Sequence, residues 1–213
     1  MREKDGLAID KILDCAKKEF AEKGFEGASM RAIAENAGYT TGILYGRFSG
    51  KGDLFREIVK NAADELYAYF TGVQDDFAHL APEKQYTEMH VYVDRKVDGM
   101  LDIVYGHLAE FKLIVCKSKG SEYERYVDRL IEVETTNTVR FIGALNAAGY
   151  KVREVRADLS HMLATALFNG MFEVVAHDLT KDEARKYIKV LQYFFNAGWD
   201  KILGLPGDWV LPE

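Results

Sequence analysis

The sequence predicts an all-α protein: a small three-helix unit at the N-terminus, then a larger helical bundle, about nine helices together. Three observations carry this. Apolar residues recur at three- and four-residue spacing along most of the chain, and few runs alternate with period two. Proline, which interrupts helices, occurs only 3 times in 213 residues. Hydrophobic residues make up 48 %, enough for a real core rather than a disordered chain. The expected division is 1–52 for the small unit and 53–213 for the large one.

Ile9, Ile12, Leu13, Ala16 and Phe20 form one stripe of an amphipathic helix. Lys11, Lys17, Lys18 and Glu19 are assigned to its other face, and Gly24 ends it. Ser29 can N-cap a second, short helix whose apolar face is Ile33, Ala34 and Ala37. Gly38 stands where the chain must leave that helix through a left-handed turn, which glycine enters at no steric cost. Thr40 or Thr41 can cap a third helix of about two turns, with Ile43, Leu44 and Phe48 inward and Thr41, Tyr45 and Arg47 outward.

Two short helices joined by three or four residues cross steeply, as in a helix-turn-helix. The second is exposed, rich in donors and nearly free of acid, which suits a helix that enters the major groove. The segment Met30-Arg31-x-Ile33-Ala34-x-x-Ala37-Gly38, then Thr41-Gly42-x-Leu44-Tyr45-x-x-Phe48-x-x-Lys51, resembles the DNA-binding segment of the TetR family of bacterial regulators. The likeness reaches back to Ile12, Ala16, Phe20, Gly24 and Phe25 and forward to Leu54 and Phe55, about a quarter of the chain. The chain departs from the family's pattern at Tyr39, Gly46, Arg47, Gly50 and Gly52; Arg47 adds a donor at the groove. The resemblance implies a dimeric, ligand-responsive regulator, most often a repressor released from a palindromic operator.

In that reading Tyr45 and Lys51 grip phosphates, helped by Ser29 and the helix N-termini. Thr40, Thr41 and Arg47 face base edges, and Gly42 lets the backbone approach closely. Arg31 adds positive charge to the same face. The net charge of −6 argues against a polyanionic partner only on the surface. Residues 1–60 hold 11 Lys/Arg and 10 Asp/Glu, a balance of +1, whereas the remaining 17 and 24 give −7. A local basic face can hold phosphate while an acidic remainder restrains non-specific binding.

After Lys51 a helix from about Asp53 to Phe70 turns Leu54, Phe55, Ile58, Ala62 and Leu66 inward, ending near Gly72 and the Asp75-Asp76 pair. It is long enough to run into the next domain and to couple the two. Pro82 is placed to open another helix. From there to Lys117 the pattern is helical and rich in aromatics, and Gly99 and Gly106 predict a kink or two helices. Lys117 to Ser121 reads as a loop. A helix from Glu122 to about Ala148, with Leu130, Ile131, Val139, Ile142 and Leu145 on its core face, closes at Gly149.

From Leu159 to Phe172 there are 14 residues without Asp, Glu, Lys or Arg, so a helix over Asp158–His177 must be covered on two sides. The helix from Lys181 to Leu203 has a wide apolar stripe including Tyr187, Leu191, Phe194 and Trp199. Two such helices against their symmetry mates would make a four-helix homodimer interface, at 158–177 and 181–203; two interior helices of a monomer would read alike.

A small-molecule effector, largely apolar or aromatic, is expected in the bundle, with Tyr67, Met89, Tyr92, Phe111, Asn137, Phe141, Phe168 and Asn169 as lining residues. An enzyme is not expected. No GxGxxG, P-loop, HExxH or GxSxG occurs, and the five histidines share no metal-ligand spacing. No cofactor or metal is expected. No stretch approaches the ~20 apolar residues of a membrane span, no apolar signal region opens MREKDGLAIDK, and Cys15 and Cys116 read as buried thiols, so a cytoplasmic protein is expected. The alternative is a helical adaptor that binds protein and not DNA.

Overall fold

The computed structural model describes residues 2–205, with side chains from residue 8; the outer ends of the two expected domains, Met1 and 206–213, lie outside the described residues. Among the described residues there are nine α-helices and no strand. They are α1 (Arg2–Gly27), α2 (Met30–Ala37), α3 (Thr41–Tyr45), α4 (Lys51–Ala78), α5 (Pro82–Gly106), α6 (Leu108–Cys116), α7 (Tyr126–Ala147), α8 (Ala157–Ala176) and α9 (Lys181–Leu203). The described residues form two compact units, one of residues 2–64 and 107–126, the other of 65–106 and 127–205. Helix α4 passes from the first to the second.

The first unit is built on the stripe of α1. Ile12, Ala16 and Phe20 are fully buried, together with Ile33 of α2, Leu44 of α3 and Leu54 and Phe55 of α4. Phe20 meets Phe55 edge-on at 5.0 Å between ring centroids, and Phe25 meets the same ring at 5.4 Å. Edge-to-face packing adds to the area these rings bury. Glu19, assigned above to the polar face, is 4 % exposed instead. It stands seven residues after Ile12 and three after Ala16, on the apolar stripe, so its carboxylate is carried inward and takes Lys23 Nζ at 2.9 Å and the backbone N–H of Ser29 at 3.2 Å. Helix α6 belongs to this unit: Lys17 Nζ donates to Glu110 Oε1 at 2.9 Å, and Phe25 N–H to the carbonyl of Lys117 at 2.8 Å. Tyr126, buried, donates to the carbonyl of Ala63 at 2.7 Å.

In the second unit α4 does not stop at Gly72. Phe70 and Gln74 are both buried, and that packing carries the helix past a glycine that costs about 1 kcal/mol in a helix interior. It ends two residues after the Asp75-Asp76 pair, acids set against the negative end of the dipole. Pro82 does open α5, and the break in the aromatic-rich run falls at Gly106–His107 while Gly99 lies inside α5. A Cβ at Gly99 would run into the hydroxyl and ring of Tyr69, whose O–H donates to the carbonyl of Arg95 at 3.0 Å. Helix α7 starts at Tyr126, after turns at 122–125, and Val139 is exposed, not core. The core of this unit gathers Phe141, Ile142, Leu145, Val152 and Leu203, with Phe77, Tyr86 and Trp199 against them. Helix α9 opens on a capping box: Thr180 Oγ1 accepts from Glu183 N–H and the Glu183 carboxylate from Thr180 N–H.

Two expectations about bulk properties do not hold. Helix α8 is long and apolar enough, by length and composition, to cross a membrane. The cysteines are not buried: Cys15 is half-buried and Cys116 exposed at the end of α6.

Candidate nucleic-acid interface and effector cavity

Helix α2 is capped as its sequence dictates. Ser29 has extended backbone angles, its Oγ accepts from Ala32 N–H at 3.4 Å, and Glu19 holds its N–H from below. Gly38 closes the helix at φ 75°, a conformation in which a Cβ is strained, and its N–H returns to α2. This turn aims α3.

Helix α3 is five residues long, shorter than two turns. Thr40 occupies its N-cap position without a side-chain cap bond, and glycines at 42 and 46 weaken it from within and at its end. The coil continues to Phe48 through bonds from Arg47 N–H and Phe48 N–H to the Leu44 carbonyl, at 3.0 and 2.9 Å. Only one residue of so short a helix can point straight into the unit. Leu44 does, at 0 % exposure, and Ile43, about 100° round the axis, is 44 % exposed and not inward as expected. Thr40, Thr41, Gly42 and Arg47 are exposed, Tyr45 is 57 % exposed, and Arg31 of α2 is exposed as well.

Lys51 is placed differently from a free phosphate grip. Its Nζ donates to the carbonyls of Glu26 at 2.9 Å and Ala28 at 3.2 Å and lies 4.8 Å from the centre of the Phe25 ring. It satisfies carbonyls where α1 ends. The turn from α3 into α4 is fastened by Asp53, whose Oδ2 accepts from Ser49 N–H at 3.0 Å and Ser49 O–H at 2.8 Å. The reading of the sequence missed Glu19 and Asp53. Asp53 was findable from the serine four residues before it, whereas the spacing of Glu19 on the stripe conflicts with its charge.

A cavity in the second unit lies between α4, α5, α7, α8 and α9 and measures about 120 Å³ open to the centres of water-sized molecules. Met89, Tyr92, Asn137, Phe141 and Phe168 line it. The other three expected lining residues do not. Phe111 is fully buried in the first unit beside Tyr126, because α6 packs there and not in the bundle. Tyr67 faces the guanidinium of Arg129, and Asn169 is on the exposed face of α8. The charged residues of the wall are Lys96 and Glu134, paired at 2.8 Å, with Gln74 also donating to Glu134 and the Lys96 ammonium 5.3 Å from the centre of the Phe70 ring. Lys96 is 8 % exposed. No group of three His, Cys, Asp or Glu side chains that could hold a metal ion occurs among the described residues.

The outer faces of α8 and α9 expose Leu159, Met162, Tyr187, Val190 and Phe194, the last at 70 %. Scattered apolar residues are ordinary, but five on two adjacent helices form a patch.

A capped helix, a glycine turn and an exposed one-turn helix together form a helix-turn-helix. Residues 12–58 match the model of the bacterial regulatory proteins of the tetR family, so this segment is similar to that family. The chain is 27 % identical over 120 residues to YfiR, an HTH-type transcriptional regulator of Bacillus subtilis, covering 55 % of each chain. It is 26 % identical over 148 residues to an HTH-type transcriptional regulator of Staphylococcus aureus, covering 62 % of this chain and 80 % of that one. The chain thus spans about half the length of the Bacillus relative. These relatives are regulators, not enzymes. The fold is similar to that of MexZ, a repressor of Pseudomonas aeruginosa, with a TM-score of 0.59, 19 % identity and coverage of 97 % and 98 % of the two chains. It is also similar to the fatty acid degradation regulator FadR of Bacillus halodurans, with a TM-score of 0.56, 16 % identity and coverage of 88 % and 94 %.

Proposed function

We propose that this chain is a cytoplasmic, ligand-responsive repressor that binds a palindromic operator as a homodimer and is released by a small molecule. The observation that carries the reading is the outward set on and beside α3: Thr41, Tyr45 and Arg47 stand exposed while Leu44 and Phe48 are buried. Within it, residues 1–52 read DNA and 53–213 bind effector and dimerise. Thr40, Thr41 and Arg47 meet base edges, with Arg47 able to engage guanine through two donors. Tyr45 and Arg31 hold phosphate, Gly42 admits the backbone, and Ser29 and Lys51 fix the angle at which the reader enters. Lys51 reaches a phosphate only by leaving its two carbonyls.

Two readers must be paired for a two-fold site, with half-sites about 34–36 Å apart or at a wider spacing set by the dimer. The apolar patch of α8 and α9 supports such pairing. A molecule in the cavity weakens DNA binding only as far as it prefers the non-binding arrangement. MexZ is described as a repressor responsible for antibiotic resistance, which favours the repressor reading over an activator. Selection of bound fragments from random DNA tests it. A two-fold symmetric consensus is the expected result; no enrichment, with alanine at Tyr45 and Arg47 changing nothing, leaves the protein-binding adaptor.

A further inference from the structure

The cavity wall carries two hydrogen-bond donors that no acceptor takes up. Gln192 and Asn196 stand one turn apart on α9, so they share a face, and both line the cavity. Gln192 is 7 % exposed, and its Nε2, like Asn196 Nδ2, is buried with no hydrogen-bond partner. A buried N–H without an acceptor is destabilising and uncommon in a native fold, so two on adjacent turns mark where an acceptor belongs. The charges of the wall make no such demand. Lys96 and Glu134 satisfy each other at 2.8 Å, and together they are neutral. An ion entering beside them would bring an uncompensated charge into a place where Lys96 is 8 % exposed. The rest of the wall, with Phe77, Met89, Tyr92, Phe141 and Trp199, is apolar or aromatic.

We propose that this cavity selects a small uncharged molecule with an apolar or aromatic body and one carbonyl-type oxygen, which Gln192 Nε2 and Asn196 Nδ2 grip together. A carbonyl oxygen has two lone pairs and can accept from both donors at once. The cavity, about 120 Å³, has room on the order of four waters at roughly 30 Å³ each, which limits an occupant to a small molecule. The inference rests on reading this cavity as the effector site, and it adds the chemical class and the two residues that choose it.

Four probes sharing a phenyl group and a three-carbon chain separate the possibilities: propiophenone, propylbenzene, 3-phenylpropanoate and 3-phenylpropylammonium. Titration calorimetry and thermal melting of the full chain, without DNA, are expected to rank propiophenone first and both ions last. Gln192→Met and Asn196→Leu each remove an unpartnered donor, so each variant should melt no lower than the parent. Each should also weaken propiophenone by roughly three- to tenfold, toward propylbenzene, and leave propylbenzene unchanged. Tightest binding by either ion, equal binding of ketone and hydrocarbon, unchanged ketone affinity in both variants, or no binding of any probe overturns the inference. Retention of selected DNA by the same preparation is read separately. Ketone binding with no DNA retained sinks the regulator reading alone, and the reverse result sinks this one alone.

Discussion

Removing the carboxylate of Glu134 should expose how the Lys96–Glu134 pair holds the bundle. Glu134→Leu leaves the Lys96 ammonium, 8 % exposed, with the Phe70 ring at 5.3 Å as a remaining cationic contact. Gln74 loses its acceptor at the same time. Breaking a buried pair from one side costs about 3–5 kcal/mol. The Glu134 side chain is 20 % exposed, so water can reach part of the site and about 3 kcal/mol is the expected cost. For a chain of this length that lowers the melting temperature by roughly 6–12 °C. Lys96→Met with Glu134→Leu removes both charges and replaces them with apolar volume, and should restore stability to within about 1 kcal/mol of the parent. Calorimetric melts of the parent, the two single variants and the double variant form the cycle, and a coupling of about 2–3 kcal/mol is expected. If the double variant is as unstable as either single variant, the pair is a net stabiliser and the argument from desolvation is wrong; if it loses the sum of the single losses, the two groups are not coupled at all.

Lys51→Met should lower unfolding stability by about 1–2 kcal/mol in a urea titration, because two backbone carbonyls lose a charged donor in a half-exposed place; a variant that melts like the parent while losing DNA would show the ammonium to be a phosphate grip only. Alanine at Tyr45 or Arg47, both exposed, should leave melting within about 0.5 kcal/mol of the parent yet abolish retention on selected DNA. Phe194→Asp, at a side chain 70 % exposed, should give a folded monomer by sedimentation if α8 and α9 pair with a second copy. Burial pushes the Glu110 carboxyl up, but the hydrogen bond and charge of Lys17 prevail and hold it below its ordinary 4.5. A carboxyl lowered on folding stabilises the protein above its unfolded pKa, and that contribution is lost as pH falls through the folded value. Glu110→Gln should therefore be less stable than the parent at pH 7 and should show a shallower loss of stability on acidification below about pH 4.5.

The helices were legible because their signals are local. The stripe Ile12, Ala16, Phe20, the serine cap at 29, the glycine turn at 38 and the proline at 82 each act within a few residues, and the protein obeys them. What could not be read is set by packing across the chain. Whether Ile43 or Leu44 turned inward depends on which direction the unit offers a one-turn helix, and no periodicity speaks over five residues. Phe111 looked like a bundle aromatic because nothing in α6 itself says that it packs against α1. Glu19 reads as surface by its charge and as core by its spacing, and only a partner donor such as Ser29 N–H decides. The cavity was half legible: Met89, Tyr92 and Phe141 announce aromatic walls, while the ion pair of Lys96 and Glu134 joins residues 38 apart on different helices.

The hydrogen of Gly99 makes room for a tyrosine from the neighbouring helix, and this ties two distant positions to each other. No side chain, not even a methyl group, can be introduced at 99 while Tyr69 keeps its place. Trimming Tyr69 to a leucine or smaller would vacate the space and let residue 99 vary. Alanine at 99 should thus be harmful alone and tolerated beside a shortened residue 69, so position 99 can change only after position 69 has, while position 69 is free to change first.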